Sequence, residues 1–188
     1  MIIIFTGPPF AGKDTQAKII SEKMGLPVFS MGQLIREAYK AGNPKAVEGF
    51  EQYSMKGLHL PTGLKFDLLQ EKIEKTGSGY ILDNFPGTQE DLDTYLAYLQ
   101  EKNQHVDCVI YIHISPEEML KRMKSRGRAD DTPEIVLKRR DVQDKDREKI
   151  IAYFTAKGIL EEIDGEGDIE SIDKQIIERI HKYDPHKN

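Results

Sequence analysis

The stretch Gly7-Pro8-Pro9-Phe10-Ala11-Gly12-Lys13-Asp14-Thr15 limits what this chain can fold into more than any other. It follows directly on the apolar run 1–5 and leads into a helix-like segment at 16–24. Strand, glycine-bounded loop, lysine and helix, in that order, is the local architecture that holds a polyphosphate. Gly7 and Gly12 let the backbone turn with its N–H groups converging on a concave anion site. The following helix adds partial positive charge at its N-terminus. Lys13 supplies a mobile cation for the outer phosphates. A plain strand-to-helix turn would also use glycines, but it gives no reason for a lysine at the helix start, where the dipole disfavours a cation. The residue after the lysine is Asp14 rather than a magnesium-binding Ser or Thr, and Thr15 follows one place later. A carboxylate so close to a phosphate weakens anion binding unless a metal or a neighbouring cation offsets it.

The chain has 188 residues, enough for one sizeable core. Its net charge of -5 argues against a general nucleic-acid binder, which would carry a basic surplus. The single cysteine, Cys108, excludes an internal disulfide and a cysteine-rich zinc site, so no structural zinc is expected. Cys108 lies in an apolar stretch, 107–112, that reads as a buried strand, and it is expected to be a small core residue. No charged leader precedes the apolar start. No apolar run approaches the roughly 18 residues needed to span a bilayer. No membrane partner is expected, and a cytoplasmic location is.

Short apolar runs at 2–5, 27–29, 80–82, 108–114 and 160–163 predict strands. Helical patterns at 14–24, 32–40, 46–55, 63–75, 89–101, 116–125, 133–157 and 169–182 lie between them. Such alternation implies a five-stranded parallel sheet covered on both faces, a three-layer α/β fold. Ser115-Pro116-Glu117-Glu118 predicts a capping box, and Thr132-Pro133 a second helix start. Gly25, Gly42 and Gly158 fall where helices should stop. The segment 30–60 is helical only and predicts a mobile flap.

Three further groups carry chemistry. The strand ending Ile81-Leu82-Asp83-Asn84 delivers an acid to the carboxyl edge of the sheet, where ligands bind. Asp83 is placed to hold magnesium, directly or through water. Its simpler role would be to cap the turn. Lys121, Arg122, Lys124, Arg126, Arg128, Lys138, Arg139 and Arg140 concentrate positive charge in an acidic chain. Beside a phosphate loop such a cluster suits a multi-anionic ligand and a phosphoryl group in transfer, although a solvated helix face would show the same composition. The helix after the second strand adds a third candidate, Arg36, which its amphipathic pattern alone reads as a surface residue.

The loop ends Lys13-Asp14-Thr15-Gln16 and resembles that of the adenylate kinase family of nucleoside monophosphate kinases, Gly-x-Pro-Gly-x-Gly-Lys-Gly-Thr-Gln. Phe10 and Asp14 replace two family glycines. Leu82-Asp83-Asn84-Phe85-Pro86-Gly87-Thr88 is similar to the family's Leu-Asp-Gly-Phe-Pro-Arg-Thr, with Gly87 in place of the arginine that contacts the acceptor monophosphate. Losing that bidentate clamp costs on the order of 1.5–3 kcal/mol of acceptor binding unless another cation replaces it. The segment 30–36 resembles Ser-Thr-Gly-Asp-Leu-Leu-Arg, so Arg36 matches the monophosphate-binding arginine. Met31 replaces a threonine there, Gln33 an aspartate, and 57–61 matches the far end of the flap loosely. Arg122, Arg126 and Arg139 match family arginines that act on ATP and the moving phosphoryl group. Arg128-Ala129-Asp130-Asp131 matches the Arg-x-Asp-Asp lid exit. Only Gly127 stands between Arg126 and Arg128, where the family carries an insertion, sometimes with zinc. The loop at 163–169, with Gly167, resembles the one lying against the donor adenine.

The resemblance covers residues 1 to about 183 and implies a P-loop NTPase-type fold. The implied core is 1–29, 61–121 and 132–188, with a monophosphate-binding flap at 30–60 and a vestigial lid at 122–131. It implies transfer of the ATP γ-phosphate to AMP with Mg2+. The alternatives are a UMP, CMP or deoxynucleotide acceptor, or a nucleotide-binding protein without phosphotransfer. Residues 7–15 and Gly167 would bind ATP. Met31, Arg36, Leu58, Asp83 and Asn84 would bind the acceptor. Asp83 and Thr15 would organise the metal. Lys13, Arg122, Arg126, Arg128 and Arg139 would be catalytic. The near-absence of a lid implies a donor site that is more open, or covered by a second subunit, so either a monomer or a small homo-oligomer fits.

Overall fold

The structure, a computed structural model, describes residues 1–77, 79–126 and 132–183, and the side chains of all of these except Ser125, Arg126 and Arg139. Five strands form one parallel sheet: β1 (Ile2–Thr6), β2 (Val28–Ser30), β3 (Tyr80–Asp83), β4 (Cys108–His113) and β5 (Leu160–Asp164). Their order is β2-β3-β1-β4-β5. Every residue of β1 is buried, which is why it reads as an unbroken apolar run rather than an alternating one. Its side chains still divide by strand period. Ile2 and Ile4 enter one core cluster with Tyr80, Leu82 and Val109. Ile3 and Phe5 enter the other with Ile81, Cys108, Ile110 and Ile112.

Among the described residues, eight α-helices cover the faces: α1 (Lys13–Met24), α2 (Met31–Lys40), α3 (Pro44–Gln52), α4 (Thr62–Ile73), α5 (Gln89–Glu101), α6 (Pro116–Arg126), α7 (Pro133–Ala156) and α8 (Ile169–Ile180). Residues of α1, α6 and α8 and Val136 of α7 pack on the Ile3 side, and residues of α2, α4, α5 and the C-terminal end of α7 on the Ile2 side. Gly25 (φ 67°), Gly42 (φ 73°) and Gly158 (φ 69°) follow helix ends in left-handed conformation, as expected. The helix expected to run to residue 55 stops at Gln52, and a 3-10 turn, Ser54–Lys56, follows it.

The expected capping box at Ser115 is half right. Ser115 Oγ accepts from the Glu118 N–H at 3.2 Å, but the Ser115 N–H donates to Glu166 at 2.7 Å. Glu118 is engaged instead with Arg122 and Lys121. A full capping box occurs at α5, where Thr88 and Asp91 exchange bonds.

The segment 30–60 is helical as read. Met31, Leu34 and Ile35 join the Ile2-side core, with Phe50 and Leu60 packed against it. It therefore rests on the sheet's carboxyl edge. Among the described residues no helix is long and apolar enough to cross a membrane. Cys108 is fully buried, and burial raises its thiol pKa, as suits an inert core residue.

Candidate active site

The carboxyl ends of the strands converge on one edge, and the loop after the central strand β1 occupies its middle. Gly7 allows that loop to leave the sheet: a Cβ there would lie 2.1 Å from the Ile112 carbonyl oxygen. Gly12, at φ 90°, turns the backbone into α1. Phe10 has φ 64°, so the backbone keeps a left-handed shape where the family has glycine, although the residue carries a side chain. Part of its ring packs against the Ile3-side core. Lys13 is buried, and its Nζ donates to the Pro8 carbonyl at 2.8 Å, spanning the loop from within.

Arg122 reaches this loop from α6. Its guanidinium donates to the carbonyls of Phe10 (3.4 Å) and Gly165 (2.7 Å), while Glu118 holds Nε at 2.7 Å. One cavity is lined by residues 10–12 and 14–16 together with Arg122, Gly167 and Asp168. The front of the chain and its second half thus meet at one pocket carrying loop N–H groups and a guanidinium. Asp14 and Thr15 are solvent-exposed on its rim.

Asp83 closes β3, with its backbone in register with Phe5 and Ser30. It is 4% exposed, and burial raises its carboxyl pKa. Lys13, a hydrogen bond from Ser30 and Arg36 oppose that rise, and Asp14 adds to it. Asp83 therefore feels Lys13 from the loop and Arg36 from α2, which places it between the two halves of the site. Its Oδ1 is buried with no hydrogen-bond partner among the described residues. A buried, unpartnered carboxylate oxygen beside a phosphate loop suits a hard cation such as Mg2+. No cluster of three or more potential metal ligands occurs among the described residues, so most of a magnesium ion's ligands would come from water and phosphate.

A second cavity opens on the α2 side of Asp83. Met31, Arg36, Leu58 and Asn84 line it, with apolar walls from Ile35, Phe50 and Leu60. The Arg36 guanidinium lies over Gly32, where an added Cβ would come within 3.2 Å of Nη1. Asn84 (φ 62°) turns the chain out of β3 toward this cavity. Of the acceptor residues expected from the sequence, Met31, Arg36, Leu58 and Asn84 line this cavity, and Asp83 directly precedes Asn84 without lining it. The Arg126 and Arg139 side chains, and Arg128 with Asp130 and Asp131, lie outside the described residues. The backbone places Arg126 at the end of α6 and Arg139 in the second turn of α7.

The sequence did not flag four further residues on the second cavity: His59, Lys65, Gln143 and Arg147. Lys65 pairs with fully buried Asp91. Asp91 also accepts from Thr62 Oγ1 (2.7 Å) and from the N–H groups of Gly87 (2.9 Å) and Thr88 (3.1 Å). His59 Nε2 stands 3.5 Å from Asp146, without a hydrogen bond. Burial and Lys65 outweigh Asp146 and lower the His59 pKa below 6.5. Arg147 pairs with Asp144, and burial lowers its pKa below the ordinary arginine value. Gln143, Arg147 and Ile150 recur at helical spacing, a pattern detectable in the sequence, but within a run so rich in charge that no face stands out.

Comparisons with known proteins point to one family. The profile of the family described as "Adenylate kinase" matches residues 5–159. The chain is 34% identical to an adenylate kinase of Corynebacterium glutamicum (strain R), over 97% of this chain and 100% of that protein. It is 30% identical to an adenylate kinase of Mycobacterium ulcerans, with the same coverage. An adenylate kinase of Archaeoglobus fulgidus is 32% identical, over 94% of this chain and 96% of its own.

Proposed function

We infer that this chain, which belongs to the adenylate kinase family and is a nucleoside monophosphate kinase, transfers the γ-phosphate of ATP reversibly to AMP. The observation that carries this reading is the placement of Asp83 between Lys13 and Arg36, with Arg122 closing the loop side. One carboxylate feels a cation from each side, Lys13 from the loop and Arg36 from α2, an arrangement suited to two phosphorylated ligands aligned end to end.

Phosphoryl transfer needs little covalent chemistry from the protein, so positioning and charge neutralisation supply the catalysis. Residues 7–15 cradle the donor phosphates with backbone N–H groups. Lys13 exchanges the Pro8 carbonyl for phosphate oxygen. Arg122 holds the donor from the opposite wall, and Gly167 admits the donor base. Arg126, Arg128 and Arg139 complete the clamp on the moving group. Asp83 and Thr15 would hold the Mg2+ that accompanies ATP, and the ion would offset phosphate charge. Arg36 binds the acceptor phosphate. Met31, Leu58 and Asn84 contact the nucleoside, and the apolar wall of Ile35, Phe50 and Leu60 favours a flat base. The working parts would be a core (1–29, 61–121, 132–188), a closing flap (30–60) and a minimal lid (122–131).

Product formation from ATP, Mg2+ and a panel of monophosphates tests the reading. AMP is expected to give the highest kcat/KM. A higher value for UMP, CMP or a deoxynucleotide would replace AMP as the acceptor. ATP binding by calorimetry with no turnover of any acceptor would remove the phosphotransfer reading.

A further inference from the structure

The acceptor cavity faces a deficit at Gly87, where the resembling motif carries a phosphate-binding arginine. The backbone does not forbid an arginine there. Gly87 is not among the positive-φ glycines, and an added Cβ would meet only ordinary contacts, 3.6 Å to His59 Cε1 and 3.6 Å to Asp91 Oδ2. The His59 ring stands where that side chain would begin.

Of the other cations on this cavity, Lys65 is matched by the buried Asp91, and His59 stands 3.5 Å from Asp146 with burial and Lys65 lowering its pKa. Arg147 differs. Its carboxylate partner, Asp144, also pairs with Arg140 at 3.2 Å, so one negative charge serves two guanidiniums. Asp144 is more than a third exposed, while Arg147 is 7% exposed and lines the cavity with Gln143 and Ile150. Arg36 reaches the same cavity from α2. A guanidinium, with its planar fork, binds a phosphate's oxygens in pairs.

We propose that Arg147 supplies, from α7, the acceptor-phosphate clamp that Gly87 lacks, gripping the monophosphate together with Arg36. This rests on the phosphotransfer reading above. It makes α7 a contributor to acceptor recognition as well as to the donor clamp at Arg139, two helical turns earlier. The loss at one position is offset at another that is distant in sequence and shares the same cavity.

Arg147→Gln, Arg147→Lys and the double variant Gly87→Arg/Arg147→Gln test this. Steady-state kinetics and calorimetry with AMP and with adenosine are the readouts. Arg147→Gln is expected to raise the AMP KM about ten- to a hundredfold, leave the ATP KM within about twofold, and weaken AMP binding while sparing adenosine. Arg147→Lys keeps charge beside Asp144 but loses the fork, and should fall between. It also serves if the glutamine variant does not fold. Adding Gly87→Arg should recover most of the AMP affinity.

The proposal is overturned if the AMP KM is unchanged, if AMP and ATP constants move together, if adenosine binding falls as much as AMP binding, or if Gly87→Arg restores nothing. It also falls if the unsubstituted protein binds AMP no better than adenosine. Failure of the phosphotransfer reading itself would look different: no turnover in any variant, with the AMP–adenosine comparison still deciding the role of Arg147.

Discussion

Phe10 holds a conformation that its side chain opposes, and two substitutions at this position measure the cost. At φ 64° an L-residue brings Cβ against the neighbouring carbonyl, at about 1–2 kcal/mol. Phe10→Ala and Phe10→Gly both remove the half-buried ring, so the loss of that packing is common to the pair. They differ in the Cβ alone. At an ordinary position glycine is less stable than alanine by about 0.5–1 kcal/mol, because its unfolded chain is freer. At position 10 relief of strain outweighs that term, and Phe10→Gly should be the more stable by about 0.5–1 kcal/mol. For a chain of this size that corresponds to roughly 2–4 °C in Tm per kcal/mol. Equilibrium urea unfolding of the nucleotide-free protein measures it, with the same pair at Lys18 as a control. Lys18 is an exposed residue of α1 and should show the usual order, alanine above glycine. If Phe10→Gly is no more stable than Phe10→Ala, the strain reading of this loop is refuted.

Lys13→Met should lower kcat/KM by about a hundredfold or more while the protein stays folded, read by steady-state kinetics and circular dichroism. Lys65→Met leaves the Asp91 carboxylate buried without its counter-ion, and should cost about 3–5 kcal/mol in urea unfolding; Asp91→Asn in the same chain should recover part of it. The His59 pKa is lower folded than unfolded, so the unfolded state binds the extra proton first. Stability is then full above pH about 6.5 and declines as pH falls toward the lowered value. His59→Gln should flatten the stability profile as pH falls below about 6.5. A profile as steep as the parent's would show that His59 does not contribute to it.

The strands and helices were legible because punctuation and period agree. Gly25, Gly42 and Gly158 stop helices in left-handed conformation, and β1, β3 and β4 are short, mostly apolar runs. Residues 7–15 were equally legible as a glycine-bounded loop, since they are contiguous and their spacing sets the backbone shape. The second cavity was legible only in part. Lys65 and Asp91 stand 26 residues apart and meet only through the packing of α4 on α5. Arg147 sits in a helix whose charges look uniform along the sequence, and only the fold shows which of them faces inward. The Phe10 substitution was visible, but its consequence was not: the left-handed turn survives with the ring laid against the core.

The contact of Lys13 with the Pro8 carbonyl ties the start of α1 back across its own loop. If the loop binds a triphosphate as proposed, that ligand would compete with the internal bond, and a measured affinity would understate the pull of the ammonium on phosphate. Binding would then be an exchange of partners, with the carbonyl placed to take the lysine back.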